Sequence, residues 1–252
     1  MPQHHEPPAP SLDHDEPADD ARRSLMQQAA CVAGAWAASG LLPTVAGEVR
    51  QSHPRSLLVD ANGQPISAKA LRPGETLLFN YPFAASPVFL IAMDGEVRDV
   101  ELLTEAKQRY AAPGGAGPKR NLVAFSAICA HKLMYPTPAL SFIGVRKGIG
   151  NEPAQVIHCC GDNSRYDPAR GAAVMSGPAP QPLAAVLLEW DAQRDQLHAV
   201  GTRGGEKFGE FFEKYAFKLE MEMGRRARET AGATCVTRPA SAYSRQWQSC
   251  PA

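Results

Sequence analysis

From residue 55 to residue 203 the large apolar side chains come in short runs, none longer than eight residues, and each run ends in a turn signal. Runs of that length bounded by Gly, Pro, Asn and Asp build strands rather than helices. Residues 56–60 lead into Ala61-Asn62-Gly63-Gln64, a hairpin signal. Arg72-Pro73-Gly74-Glu75 turns the chain before residues 76–79, and Asp94-Gly95 turns it after residues 87–93, whose sequence PVFLIAM reads as a buried strand. Residues 122–128, 139–145, 155–158 and 183–190 supply further short apolar runs, with a flexible loop at 113–118. The 22 prolines and 21 glycines suit this segmentation. A helical period shows only late in the chain. Phe208, Phe211, Phe212, Tyr215 and Leu219 form one apolar stripe on a helix expected from 206 to 228. The expected fold is mostly β, with a C-terminal amphipathic helix.

Charge excludes little and patterning more. The 26 basic and 26 acidic residues give no global field that would favour nucleic acid. Residues 1–46 are acidic, and residues 1–21 are too poor in large apolar side chains to order themselves. Arg22-Arg23 then precedes a weakly apolar run at 29–42 and the small residues Thr44-Val45-Ala46. A helix of that run spans roughly 21 Å, short of the ~30 Å hydrocarbon core and of signal-peptide length. The arrangement resembles a twin-arginine export signal. Residues 1–46 therefore read as a disordered leader plus signal, with 24–46 either cleaved or kept as a membrane anchor. Cys31 falls inside it and needs no role.

The chemistry lies between residues 129 and 183. Cys129-Ala130-His131 sets a thiol and an imidazole two apart in a loop after a strand, so both can face one metal. A second loop runs Cys159-Cys160-Gly161-Asp162-Asn163-Ser164-Arg165-Tyr166-Asp167, and a third, Gly177-Pro178-Ala179-Pro180-Gln181-Pro182, is stiffened by its prolines. No nucleophile elbow, Walker loop or dinucleotide fingerprint stands out. His53 and His198 stand alone and read as surface residues, and Arg225-Arg226-Ala227-Arg228 as a solvated helix end.

These three loops, in this order between short strands, resemble the Rieske iron–sulfur domain, over about residues 55–203. Leu71-Arg72-Pro73-Gly74 and Ser86-Pro87-Val88 look like strand entries of the same family. The resemblance implies an antiparallel β domain of stacked small sheets and a 2Fe–2S cluster, two cysteines on one iron and two histidines on the other. It implies Cys129 and His131 as first-loop ligands, Ser164 and Tyr166 as hydroxyls bonded to cluster sulfurs, and Pro178 in a loop lying across the cluster. The second loop departs from the family's Cys-x-x-His. Counted from Cys160 the histidine position holds Asn163, the preferred register because Ile157-His158-Cys159 reads as strand. Counted back from Ser164 and Tyr166 it holds Asp162, with Cys159 as the ligand. His158 is a third candidate, better suited to a structural role. Members of high potential join the two loops by a disulfide, but Met134 stands where the first loop's cysteine would be. Cys235 and Cys250, beyond the helix, are expected to pair with each other in an oxidising compartment.

The expected domains are the leader at 1–46, a Rieske-like domain at 50–203, a helix at 204–230 and a tail at 231–252. The expected function is an exported electron-transfer subunit rather than a stand-alone catalyst. It would be periplasmic, or anchored in the inner membrane facing the periplasm, and serve a redox partner such as a quinol-oxidising or other membrane complex. The alternative is the same fold with its cluster site degenerate or lost, acting as a structural or zinc-binding subunit.

Overall fold

The computed structural model describes residues 49–250. Arg22-Arg23, the run at 29–42 and the anchor at 24–46 lie outside the described residues. Thirteen strands precede the helices. They are β1 (Arg50–Val59), β2 (Thr76–Asn80), β3 (Pro87–Ala92), β4 (Val100–Leu103), β5 (Arg109–Ala112), β6 (Leu122–Ser126), β7 (Leu140–Ser141), β8 (Ile143–Lys147), β9 (Gln155–Cys159), β10 (Ser164–Asp167), β11 (Ala173–Ser176), β12 (Ala185–Asp191) and β13 (Gln196–Arg203). Helices α1 (Phe208–Lys214) and α2 (Ala216–Met223) follow, then β14 (Thr234–Val236), β15 (Arg238–Pro239), α3 (Ala240–Tyr243) and β16 (Gln246–Trp247). Among the described residues no helix is long and apolar enough to cross a membrane.

An eight-stranded sheet, ordered β14-β1-β13-β12-β6-β3-β2-β15, forms the base. All six residues of β3 are buried, because both faces of the sheet are covered there. Its side chains alternate between two cores, as the period of two requires. Phe89 and Ile91 join one cluster, while Val88, Leu90 and Ala92 join the other. A smaller antiparallel sheet, ordered β11-β10-β9-β8, packs onto the first of these faces through Ile143, Ile157 and Tyr166. It carries the second loop. The first loop leaves the end of β6, so both emerge over one core.

The helical stripe is real, but the helix is not continuous. It breaks at Tyr215 (φ −105°, ψ 16°) into α1 and α2. Tyr215 stacks edge-on against Tyr135, ring centroids 4.9 Å apart, while Phe208, Phe211, Phe212 and Leu219 pack with Ile128 and Leu133 of the first loop. Packing against a curved surface outweighs the propensity for one straight helix. A 3₁₀ turn over Gly224–Arg228 follows, and there Arg228 lies over the Phe212 ring, 4.7 Å from its centroid.

The tail at 231–252 also differs from the expectation. Its short strands complete the sheets, β14 alongside β1, β15 alongside β2 and β16 alongside β7. Cys235, opposite Leu58 in β14, is buried and free. The expected Cys235–Cys250 pair is therefore replaced: Cys250 bonds to Cys160, across 90 residues of sequence. His198 is not on the surface either, being 7 % exposed within the base sheet.

Candidate metal centre

The first loop is a tight turn closed by two backbone hydrogen bonds, from Cys129 N–H to Met134 O (2.9 Å) and from Leu133 N–H to Cys129 O (3.0 Å). Leu133 takes a left-handed φ of 57° and anchors the turn in the aromatic cluster under α1 and α2. Cys129 is thereby turned into the core, while the His131 side chain is 39 % exposed.

Strand alternation decides the second loop. Ile157 and Cys159 sit two apart on β9 and both join the core beneath the first loop. Across the ladder, Ser164 pairs with Cys159 and Tyr166 with Ile157, so these four side chains share the inner face. His158 and Cys160 project from the other side, where their ligand atoms cluster with that of Cys250. The structure thus brings Cys159, not Cys160, to Cys129. The preferred Cys160–Asn163 register does not form this site. Cys160 is committed to the disulfide, and Asn163, at φ 61°, accepts at its Oδ1 from His158 Nε2–H, 2.7 Å away.

Cys129, Cys159 and Asp162 place their ligand atoms within 4.8 Å of one another. Asp162 Oδ2 lies 3.1 Å from Cys129 Sγ and 3.1 Å from His131 Nδ1. Its other oxygen accepts from Ser164 N–H at 2.9 Å. Lys132 Nζ reaches Gly161 O at 3.4 Å, bridging the two loops. The Tyr166 hydroxyl lies 3.4 Å from Cys129 Sγ and accepts from Ala130 N–H. The third loop backs onto this cluster at Gly177 (φ 89°), where a Cβ would stand 2.5 Å from Ser164 Cα. Pro178 beside it is exposed, and Ala179 packs on the core that holds both cysteines.

The electrostatics suit ligation. A hydrogen bond with Cys159 holds the Cys129 thiol below its ordinary value, and that same bond, with burial, pushes Cys159 up. Cys129 is therefore the more readily ionised of the pair, and a metal binds the ionised form. Burial opposes the Asp162 charge, yet hydrogen bonds involving Cys129 and the Ser164 amide hold it below the usual carboxylate range. Burial keeps the Tyr166 phenol protonated, its pKa raised far above the ordinary value. The Ser164 hydroxyl is fully buried and has no partner among the described residues. A buried donor without an acceptor costs about 1–3 kcal/mol, so it fits a group carrying acceptor sulfurs. Two buried thiols and a carboxylate, with an imidazole beside them, are a donor set that could hold a metal.

Two loops, each offering a cysteine and a second ligand-type residue, stand above a small antiparallel sheet and together define the candidate metal centre. No family model matches the chain. It is similar to the iodate reductase subunit IdrB of Pseudomonas sp. (strain SCT), 31% identical over 139 residues, which are 55% of this chain and 58% of that one. The chain thus spans 58% of the length of that relative. The iodate reductase subunit IdrB of Denitromonas iodatirespirans is 26% identical over 197 residues, 77% of this chain and 90% of that one. Among solved structures it is similar to the soluble domain of the Rieske protein II (soxF) from Sulfolobus acidocaldarius. That likeness is 25% identical, with a TM-score of 0.43, and covers 61% of this chain and 82% of that one.

Proposed function

We propose that this chain is the iron–sulfur electron-transfer subunit of an exported oxidoreductase, with a 2Fe–2S cluster held by Cys129, Cys159, His131 and Asp162. When bound, such a cluster would take up and release one electron at a time. The convergence of Cys129, Cys159 and Asp162 beside His131 carries the reading. The two thiols lie deep in the core and suit one iron, and His131 with Asp162 suits the other. The Tyr166 and Ser164 hydroxyls would donate to the sulfurs of a bound cluster and draw charge from them. The Asp162 carboxylate brings the negative charge that an imidazole would not. His131 alone of the four reaches the surface, and a redox partner would approach there.

The relatives' names support a partner of definite kind, the catalytic subunit of an oxyanion reductase. Electrons would pass through this chain, and reduction would occur on the partner. The Arg22-Arg23 pair and the run behind it support export to the periplasm. Replacing both arginines with lysine would strand the protein in the cytoplasmic fraction if that route is used.

The test is the anaerobically purified full chain, assayed for iron, sulfide, zinc, visible absorption and reduced-state EPR. About two irons per chain with a rhombic reduced signal is the expected outcome. A colourless, folded, iron-free protein refutes the reading, and zinc bound in its place would mark the thiols as a zinc site.

A further inference from the structure

We propose that the Cys160–Cys250 disulfide is a positioning device for the metal centre, tying the second loop to the C-terminal segment so that Cys159 and Asp162 keep their places. This inference rests on the cluster reading above. Cys160 stands one residue after Cys159 and two before Asp162. Within the loop the backbone offers little restraint: Asp162 N–H reaches Cys159 O only at 3.4 Å, and the firm bond is from Cys160 N–H to Phe142 O at 2.7 Å. The first loop cannot hold the second covalently, because Met134 faces it. A Cβ on Gly161 would lie 2.9 Å from the Met134 methyl. Contact with a flexible thioether restrains a loop far less than a covalent bond.

The segment that carries Cys250 is itself well anchored. Ser244 Oγ donates to Thr137 O (2.6 Å), Arg245 N–H to Pro138 O (2.9 Å) and Gln248 N–H to Ser141 O (2.8 Å). Trp247 lies on Gly144 of β8 so closely that no Cβ could fit there. Arg146, also on β8, donates to Gln248 O at 2.5 Å and lies 3.1 Å from Cys160 Sγ. The bonds to Thr137, Pro138 and Ser141 fall on the chain that continues from the first loop, so the tail spans both. Loop 160–163 is thereby fastened to a platform, β7, β8 and β16, that does not include the ligands.

Cys250→Ser and Cys160→Ser test this in the full chain, each loaded with iron and sulfide as the wild type is, with near-UV circular dichroism to confirm the fold. The readouts are the rate of iron release to a ferrous chelator and the reduced-state EPR line shape. The line shape of the folded protein would not move if the bond served global stability alone. Both variants should release iron at least tenfold faster and show broadened lines. Wild type treated with a phosphine reductant, which converts the bond to two thiols with oxidation of the phosphine, should behave as they do. Unchanged release and line shape in variants whose parent loads iron would overturn this proposal and leave the cluster reading standing. A wild type that takes up no iron would overturn both.

Discussion

Asp162 and Asn163 are neighbours with opposite fates, and the difference is one of direction. Asp162 faces both loops of the centre, whereas Asn163, at positive φ, turns to His158. Asp162→His should restore a neutral ligand and raise the midpoint potential by on the order of 100 mV, part of the span between histidine-ligated and all-thiolate centres. Asn163→His should leave the potential where it is, and redox titration of both variants checks the contrast. The sequence held the information for this choice. Ile157 is a core residue, and Cys159 follows it by two, so alternation alone turns Cys159 inward and Cys160 outward. Reading Cys159 merely as strand placed that register second to Cys160–Asn163. The Ser164 and Tyr166 spacing also pointed to Asp162. Pairing Cys250 with Cys160 was not legible, because a disulfide across 90 residues depends on where the tail returns.

At the scale of elements, the strands most legible in advance were those buried on both faces. Residues 87–93 and 122–128 announce themselves because every side chain but that of Ser126 is apolar, and β3 and β6 form there. Strands β4, β5, β10, β11 and β13 and the tail strands were missed; Ser164-Arg165-Tyr166-Asp167 and Gln246-Trp247, for instance, have no apolar run. Their pairing comes from neighbours rather than from local preference. The helices show the converse case. Their stripe was plain, yet the break at Tyr215 belongs to the aromatic packing around Tyr135. Phe211 is fully buried at the centre of that packing, touching Tyr135, Phe212 and Tyr215 edge to face or tilted. Phe211→Ala should cost about 3–5 kcal/mol in chemical denaturation. It should also speed amide exchange through residues 129–134, because Leu133 loses its seat.

Over the whole molecule, the base sheet supports two cores, and the metal centre uses only one of them. His198 lies on β13 between Leu197 and Ala199 of the second core, and offers a pH-dependent measure of the base sheet. Burial foremost, then the charge of Arg55, holds its imidazole below the ordinary 6.5, outweighing the opposing pull of Glu189 and Asp191. Between that depressed value and 6.5 the unfolded chain binds a proton that the folded chain refuses. Stability from this site is therefore complete above pH 6.5 and is lost as the pH falls below it. Denaturation midpoints of wild type and His198→Gln, compared from pH 7.5 down to 5, should show the wild type losing more. Equal slopes would mean that folding leaves the proton affinity of His198 unchanged. The central claim concerns the other core: a two-iron site with a single imidazole. The most direct measurement is nitrogen electron–nuclear double resonance on the reduced full-length protein. One strongly coupled ring nitrogen, lost in His131→Ala and kept in His158→Ala, is the result this structure predicts. Two coupled nitrogens would show that His158 had replaced Asp162, contradicting the assignment.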